Sequence, residues 1–131
     1  MYILGDIHGD FNVISYFAQD NKDREPITLI QVGDFGAGFH SEFLNDMEYL
    51  NSVLREFNVT LYAIRGNHDD PKFFDGTHNW SNIKLLPDYT VLVLEGKRIL
   101  FIGGATSIDR LQRIPNKSWW EGEKFNLDVD K

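Results

Sequence analysis

Three short loops, Gly5-Asp6-Ile7-His8-Gly9, Gly33-Asp34-Phe35-Gly36 and Gly66-Asn67-His68-Asp69, each close a run of apolar and β-branched residues. Runs of that kind read as buried strands, and glycine directly after them lets the chain turn sharply at the strand tip. In an open α/β sheet, ligands gather outside the carboxyl ends of the strands. A fold that honours this repetition brings carboxylates, an amide and imidazoles together at neighbouring tips, which is the layout of a metal site.

The segments between the loops fit the same scheme. Tyr2-Ile3-Leu4 reads as a short strand, and Asp10 is placed to cap a helix whose apolar positions Phe11, Ile14, Phe17 and Ala18 recur at helical spacing. Ile27 to Val32 forms a second strand, followed by a helix from about Glu42 to Phe57 with Ser41 as its expected cap. Its apolar positions Phe43, Met47, Leu50, Leu54 and Phe57 step by four and three, so one face is core. Val59 to Ile64 gives a third strand, and Asp70-Pro71 opens a short helix with proline at its first position. Three βα units in succession favour a parallel sheet. The pattern then changes: Tyr89–Leu94 and Arg98–Ile102 flank Glu95-Gly96-Lys97 and predict a hairpin in a second sheet. Beyond Gly103-Gly104 no further strong strand is evident.

With 131 residues, 42% of them hydrophobic, the chain has the length for one domain, 1–131. It contains no run of eighteen apolar residues and no signal-peptide pattern, which leads us to expect a cytoplasmic protein that does not span a membrane. No cysteine is present, so thiolate ligation is excluded and carboxylate, imidazole, amide and water remain as donors for a hard or borderline divalent ion. A net charge of −7 argues against general binding to a nucleic-acid backbone. Part of that acidity, at Asp6, Asp10, Asp34, Asp69 and Asp70, is crowded around the candidate site, where cations would neutralise it.

Each motif suits a role. Asp6 and His8 lie two residues apart and can present oxygen and nitrogen to one ion. Asp34 can give one carboxylate oxygen to each of two ions, holding them about 3.5–4 Å apart. Its glycines run G-x-x-G-x-G, which does not fit the G-x-G-x-x-G of a dinucleotide loop. Asn67 supplies a neutral oxygen where more negative charge is unwanted. His68 can face a leaving group as general acid, with Asp69 or another carboxylate fixing its tautomer. Arg65 offers a planar fork for phosphate oxygens.

Taken together, Gly-Asp-x-His-Gly, Gly-Asp-x-x and Arg-Gly-Asn-His-Asp, in this order and at these intervals, resemble the calcineurin-like metallophosphoesterases. The stretch Phe101–Arg110 with Trp119-Trp120 is similar to short bacterial and phage members. The resemblance implies an α/β two-sheet sandwich with flanking helices. It also implies hydrolysis of a phosphomonoester or phosphodiester at two divalent ions (manganese, iron, zinc or nickel) by a water the metals activate. Asp6 and His8 would hold the first ion, Asp34 would bridge, Asn67 would hold the second, and His68 would donate the proton, with Asp69 in support and Arg65 on substrate.

The family normally adds a Gly-His and a Gly-His-x-His segment, and neither occurs in this sequence. The remaining histidines, His40 and His78, read as surface or loop residues. The first ion is therefore expected to bind more firmly than the second. The second sheet is expected to be incomplete, with an edge open to pairing with another copy. A fragment of a longer gene, completion by a partner chain, and a reduced or inactive descendant acting as a binding module all fit this pattern. Arg110, Arg113, Trp119 and Trp120 are further candidates for contact with substrate or partner.

Overall fold

The computed structural model describes residues 1–21 and 25–104. A four-stranded sheet carries β1 (Tyr2–Leu4), β2 (Ile27–Gln31), β3 (Val59–Ala63) and β4 (Ile83–Leu85) in that spatial order, every neighbouring pair parallel. Helix α1 (Asn12–Asp20) joins β1 to β2, and α2 (Phe43–Glu56) joins β2 to β3. A 3-10 turn, Pro71–Phe74, lies between β3 and β4. The hairpin β5 (Thr90–Leu94) with β6 (Lys97–Phe101) forms a separate antiparallel sheet, register Val91 to Leu100 and Leu94 to Lys97. Among the described residues no helix is long and apolar enough to cross a membrane.

The alternation of side chains along the strands assigns the two faces of the parallel sheet. Leu29, Leu61, Ala63, Ile83 and Leu85 meet Ile14 and Ala18 of α1 and Met47, Leu50 and Leu54 of α2 in the main core. On the opposite face Ile30 packs with Leu86 and Phe101, and Tyr62, Ile64, Leu92, Leu94 and Ile99 complete this smaller cluster against the hairpin. The layers are thus helices, parallel sheet, antiparallel hairpin. The outer face of the hairpin leaves Val91, Val93 and Leu100 exposed.

Three expectations are modified. Strand β4 was not anticipated: three residues are too few to carry a periodic signal, and the strand exists because it adds to the free edge of β3, where Leu61 N donates to Asn82 O at 2.8 Å. Asp10 does not cap α1, whose N-cap is Phe11 and has no side-chain cap bond. Nor does Ser41 cap α2; Glu42 holds that position, again without a side-chain bond. In both helices the apolar stripe against the sheet supplies what the cap does not. Asp70 does cap its 3-10 turn, its Oδ1 accepting from Lys72 N at 3.1 Å. Ala105–Arg110, Arg113, Trp119 and Trp120 lie outside the described residues.

Candidate metal centre

The three loops are stitched together backbone to backbone. His8 N donates to Asp34 O at 2.9 Å, Gly9 N to Phe35 O at 2.9 Å, and Asp70 N to Ala37 O at 2.9 Å. Approach this close requires glycine at two positions: a Cβ on Gly36 would run into the Gly9 backbone, and one on Gly66 into the backbone nitrogen and carboxylate of Asp34. Gln31, fully buried at the end of β2, donates through Nε2 to Gly5 O and Gly33 O and accepts from Gly33 N. It ties the first loop to the second. The only sequence signal for it is an amide placed inside an otherwise apolar strand.

Within this frame His8 and Asp34 adopt left-handed backbone conformations, φ 47° and 50°, which residues other than glycine adopt sparingly. Such strain concentrates at functional positions. It turns both side chains toward one another: His8 Nε2 lies 4.0 Å from Asp34 Oδ2 and 3.7 Å from Asp6 Oδ2. His68 Nδ1 lies 3.1 Å from Asp34 Oδ2, and Asp34 Oδ1 accepts from His68 N at 2.9 Å. His8, Asp34 and His68 each offer a donor atom within 4.8 Å of the others'. The His8 and His68 rings meet edge to face at 5.0 Å, and Phe39 flanks both.

The amide of Asn67 tests whether this arrangement fits a cation. Its end lies 3.0 Å from Asp34 Oδ1, 3.2 Å from Asp34 Oδ2 and 3.2 Å from His68 Nδ1. With the NH2 on that side it donates to the carboxylate. With the carbonyl oxygen there, it faces the two Asp34 oxygens with no proton between them, and a shared cation resolves the conflict. Two ligands at right angles on metal–oxygen bonds of about 2.1 Å stand about 3 Å apart, so the spacing suits one coordination sphere. The donors are oxygen and nitrogen, the set that hard and borderline divalent ions take. The adjoining cleft, about 250 Å³, is lined by Asp6, Asp34, Arg65, Asn67 and the Gly103-Gly104 segment.

Two residues expected at the chemistry are engaged elsewhere. Asp69 is fully buried, and its carboxylate accepts from the amides of Phe35, Gly36, Ala37 and Gly66 at 2.7–3.2 Å. Burial pushes its carboxyl up from the ordinary value, while the four amides pull the other way. It braces the second loop against the third, and the carboxylate at Nδ1 of His68 belongs to Asp34. The guanidinium of Arg65, only 6% exposed, gives its fork to Asp88: NH2 lies 2.7 Å from Oδ2, and Nε 3.2 Å from Oδ1. Asp88 also accepts from Gly103 N at 3.1 Å, and Arg65 O accepts from Gly104 N at 2.8 Å. Asp88 carried no motif that singled it out. His40 is exposed beside Gly9, and His78 pairs with Asp75 at 3.4 Å.

Oxygen and nitrogen donors gathered at the tips of parallel strands form a cluster that could hold a metal ion. The chain belongs to the calcineurin-like phosphoesterases, whose family model matches residues 1–130. These are phosphoesterase hydrolases that typically bind divalent metals, and the His8, Asp34, His68 cluster is compatible with that chemistry. No curated protein matches the sequence.

Proposed function

We propose that the chain hydrolyses a phosphomonoester or phosphodiester, with Asp6, His8, Asp34 and Asn67 holding two divalent ions and His68 serving as proton donor. The observation that carries this reading is the convergence of His8, Asp34 and His68 donors within 4.8 Å of one another, in a chain of this family. Bound divalent ions supply a water acidified toward neutrality and positive charge for the phosphoryl oxygens.

The residues divide the remaining work. Asp34 orients the His68 ring through Nδ1, which leaves Nε2 for the proton that the departing oxygen must receive. Arg65 fixes the wall of the cleft through Asp88 and Gly103. Asp69 holds the loops in register, and Asp34, with one oxygen toward Asn67 and His68 N and the other toward the two imidazoles, would be the residue to share its carboxylate between two ions.

The test is manganese titration by calorimetry together with hydrolysis of p-nitrophenyl phosphate and bis-p-nitrophenyl phosphate. The wild-type chain should bind the ion and hydrolyse at least one ester, and Asp34→Asn should lose both. An unchanged rate in that variant would remove the basis of the proposal. Tight metal binding with no hydrolysis by the wild type would favour a non-catalytic binding module.

A further inference from the structure

Gln31 is the last residue of β2 and is fully buried, so its side-chain amide does not share its partners with solvent. A glutamine amide carries two N–H donors and one carbonyl acceptor. Here Nε2 donates to Gly5 O at 3.0 Å and to Gly33 O, and Oε1 accepts from Gly33 N at 3.0 Å. The two carbonyls belong to the peptide units that lead directly into Asp6 and Asp34. A peptide unit is planar, so holding its oxygen also holds the nitrogen of the residue that follows. One side chain therefore fixes the backbone from which both carboxylates start.

The same contacts bear on the conformation of Asp34. Gly33, gripped at both its N–H and its carbonyl, has φ 106°, and Asp34 follows at φ 50°. A left-handed aspartate persists only where its surroundings over-determine it, and the Gln31 amide does so from one side. From the other side Gly33 lies against the third loop, where a Cβ on it would stand 3.0 Å from Gly66 Cα. The backbone carbonyl of Gln31 accepts from Ile64 N at 3.2 Å, on the path into that loop. All three loops thus meet one residue, and the turn it maintains brings Asp34 Oδ2 to 3.1 Å from His68 Nδ1 and 4.0 Å from His8 Nε2.

We propose that Gln31 is a positioning residue of the metal centre. By holding the Gly5 and Gly33 peptides it sets Asp6 and Asp34 relative to one another, and with them the size of ion that the site accepts; this rests on the metal-binding part of the reading above. Gln31 is not itself a ligand. A rigid donor set favours a small ion, whereas ligands free to spread admit Ca²⁺, whose bonds to oxygen run to about 2.3–2.6 Å.

The test is calorimetric titration of the full chain with Mn²⁺ and with Ca²⁺. Gln31→Leu keeps the apolar bulk but offers no hydrogen bond, and it should raise the Mn²⁺ Kd about tenfold or more, as loss of an outer partner of metal ligands does. The Ca²⁺ Kd should change far less, so that the preference for Mn²⁺ narrows. Gln31→Glu should behave alike, because an ionised carboxylate donates to neither carbonyl. Asn51→Ala controls for lost stability alone: Asn51 is also buried, but its amide bonds to Ser81 and Asn82 beside the start of β4, and its removal should leave the Mn²⁺ Kd nearly unchanged. Wild-type affinity in Gln31→Leu, an equal loss for both ions, or a similar loss in Asn51→Ala overturns the proposal. If neither Gln31 variant folds, the wild type decides: Zn²⁺ added to the ¹⁵N-labelled chain should move the Gln31 side-chain NH2 resonances saturably, and resonances unmoved at saturation overturn it. Metal binding without hydrolysis of any ester removes the phosphoesterase reading and leaves the Gln31 comparison intact, whereas a wild type that binds no divalent ion overturns both.

Discussion

Asp34 concentrates the chemistry of the site in one carboxylate, and its neighbour His68 is the residue whose role a substitution can resolve. A proton donor matters most when the leaving oxygen is basic, because an acidic phenol departs without help. His68→Asn should therefore reduce hydrolysis of an alkyl phosphate about 100-fold or more, and that of p-nitrophenyl phosphate far less, with Mn²⁺ affinity nearly unchanged. A matching fall in metal affinity in calorimetry would make His68 a ligand instead. Gly66 permits a different test, since a methyl there is directed into Asp34. Gly66→Ala should cost about 1–3 kcal/mol of stability as an overpacked contact, and it should weaken Mn²⁺ binding at least tenfold by displacing the carboxylate. A thermal melt and a metal titration of the same sample check both. The approach of Asp6, His8, Asp34, Asn67 and His68 to one another was legible because each follows a strand tip, where backbone geometry leaves little choice of direction. The parts played by Asp69 and Arg65 were not, because they depend on what lies across the loop: four amides in one case, Asp88 in the other.

At the scale of elements, the ion pair between Arg65 and Asp88 joins the tip of β3 to the entry and exit of the hairpin. Asp88 lies just before β5, and Gly103, whose amide it accepts, lies just after β6. Arg65 is buried, so removing the Asp88 carboxylate takes an opposite charge away from a guanidinium in a poorly solvated place. Asp88→Ala should cost about 3 kcal/mol, whereas replacing the pair together, Arg65→Met with Asp88→Leu, should restore much of that loss. A double-mutant cycle by urea denaturation measures the coupling, and additive effects would show that the clamp contributes little. Sequence periodicity located both helices, since Phe43, Met47, Leu50 and Leu54 leave one face to bury. It could not place their first residues, because Asp10 and Ser41 resemble caps but neither forms one. Strand β4 escaped notice for a related reason: Ile83-Lys84-Leu85 becomes a strand only by pairing with β3, a tertiary fact.

Over the whole molecule, the layered arrangement draws three separate stretches of sequence to one end of the parallel sheet, so metal binding and folding are linked. The unfolded chain has no preformed site, and an ion that binds only the folded state stabilises it by RT ln(1 + [L]/Kd), about 2.7 kcal/mol when free metal stands at 100 times Kd. The net charge of −7 adds to this, because Asp6 and Asp34 face the same centre and repel each other until a cation arrives. For a chain of this length that stabilisation corresponds to a rise in Tm of roughly 10 °C. Melts in Mn²⁺ and in excess EDTA should differ by about that amount, and the difference should grow with the logarithm of free metal. Asp34→Asn should melt at the same temperature in both solutions, and below the wild type in EDTA, because the amide cannot keep both of the acceptor contacts that Asp34 makes with His68 N and Nδ1. If the wild type melted identically with and without metal, the strand tips would be holding their geometry without a cation, and the loops would have to be explained by their own hydrogen bonds alone.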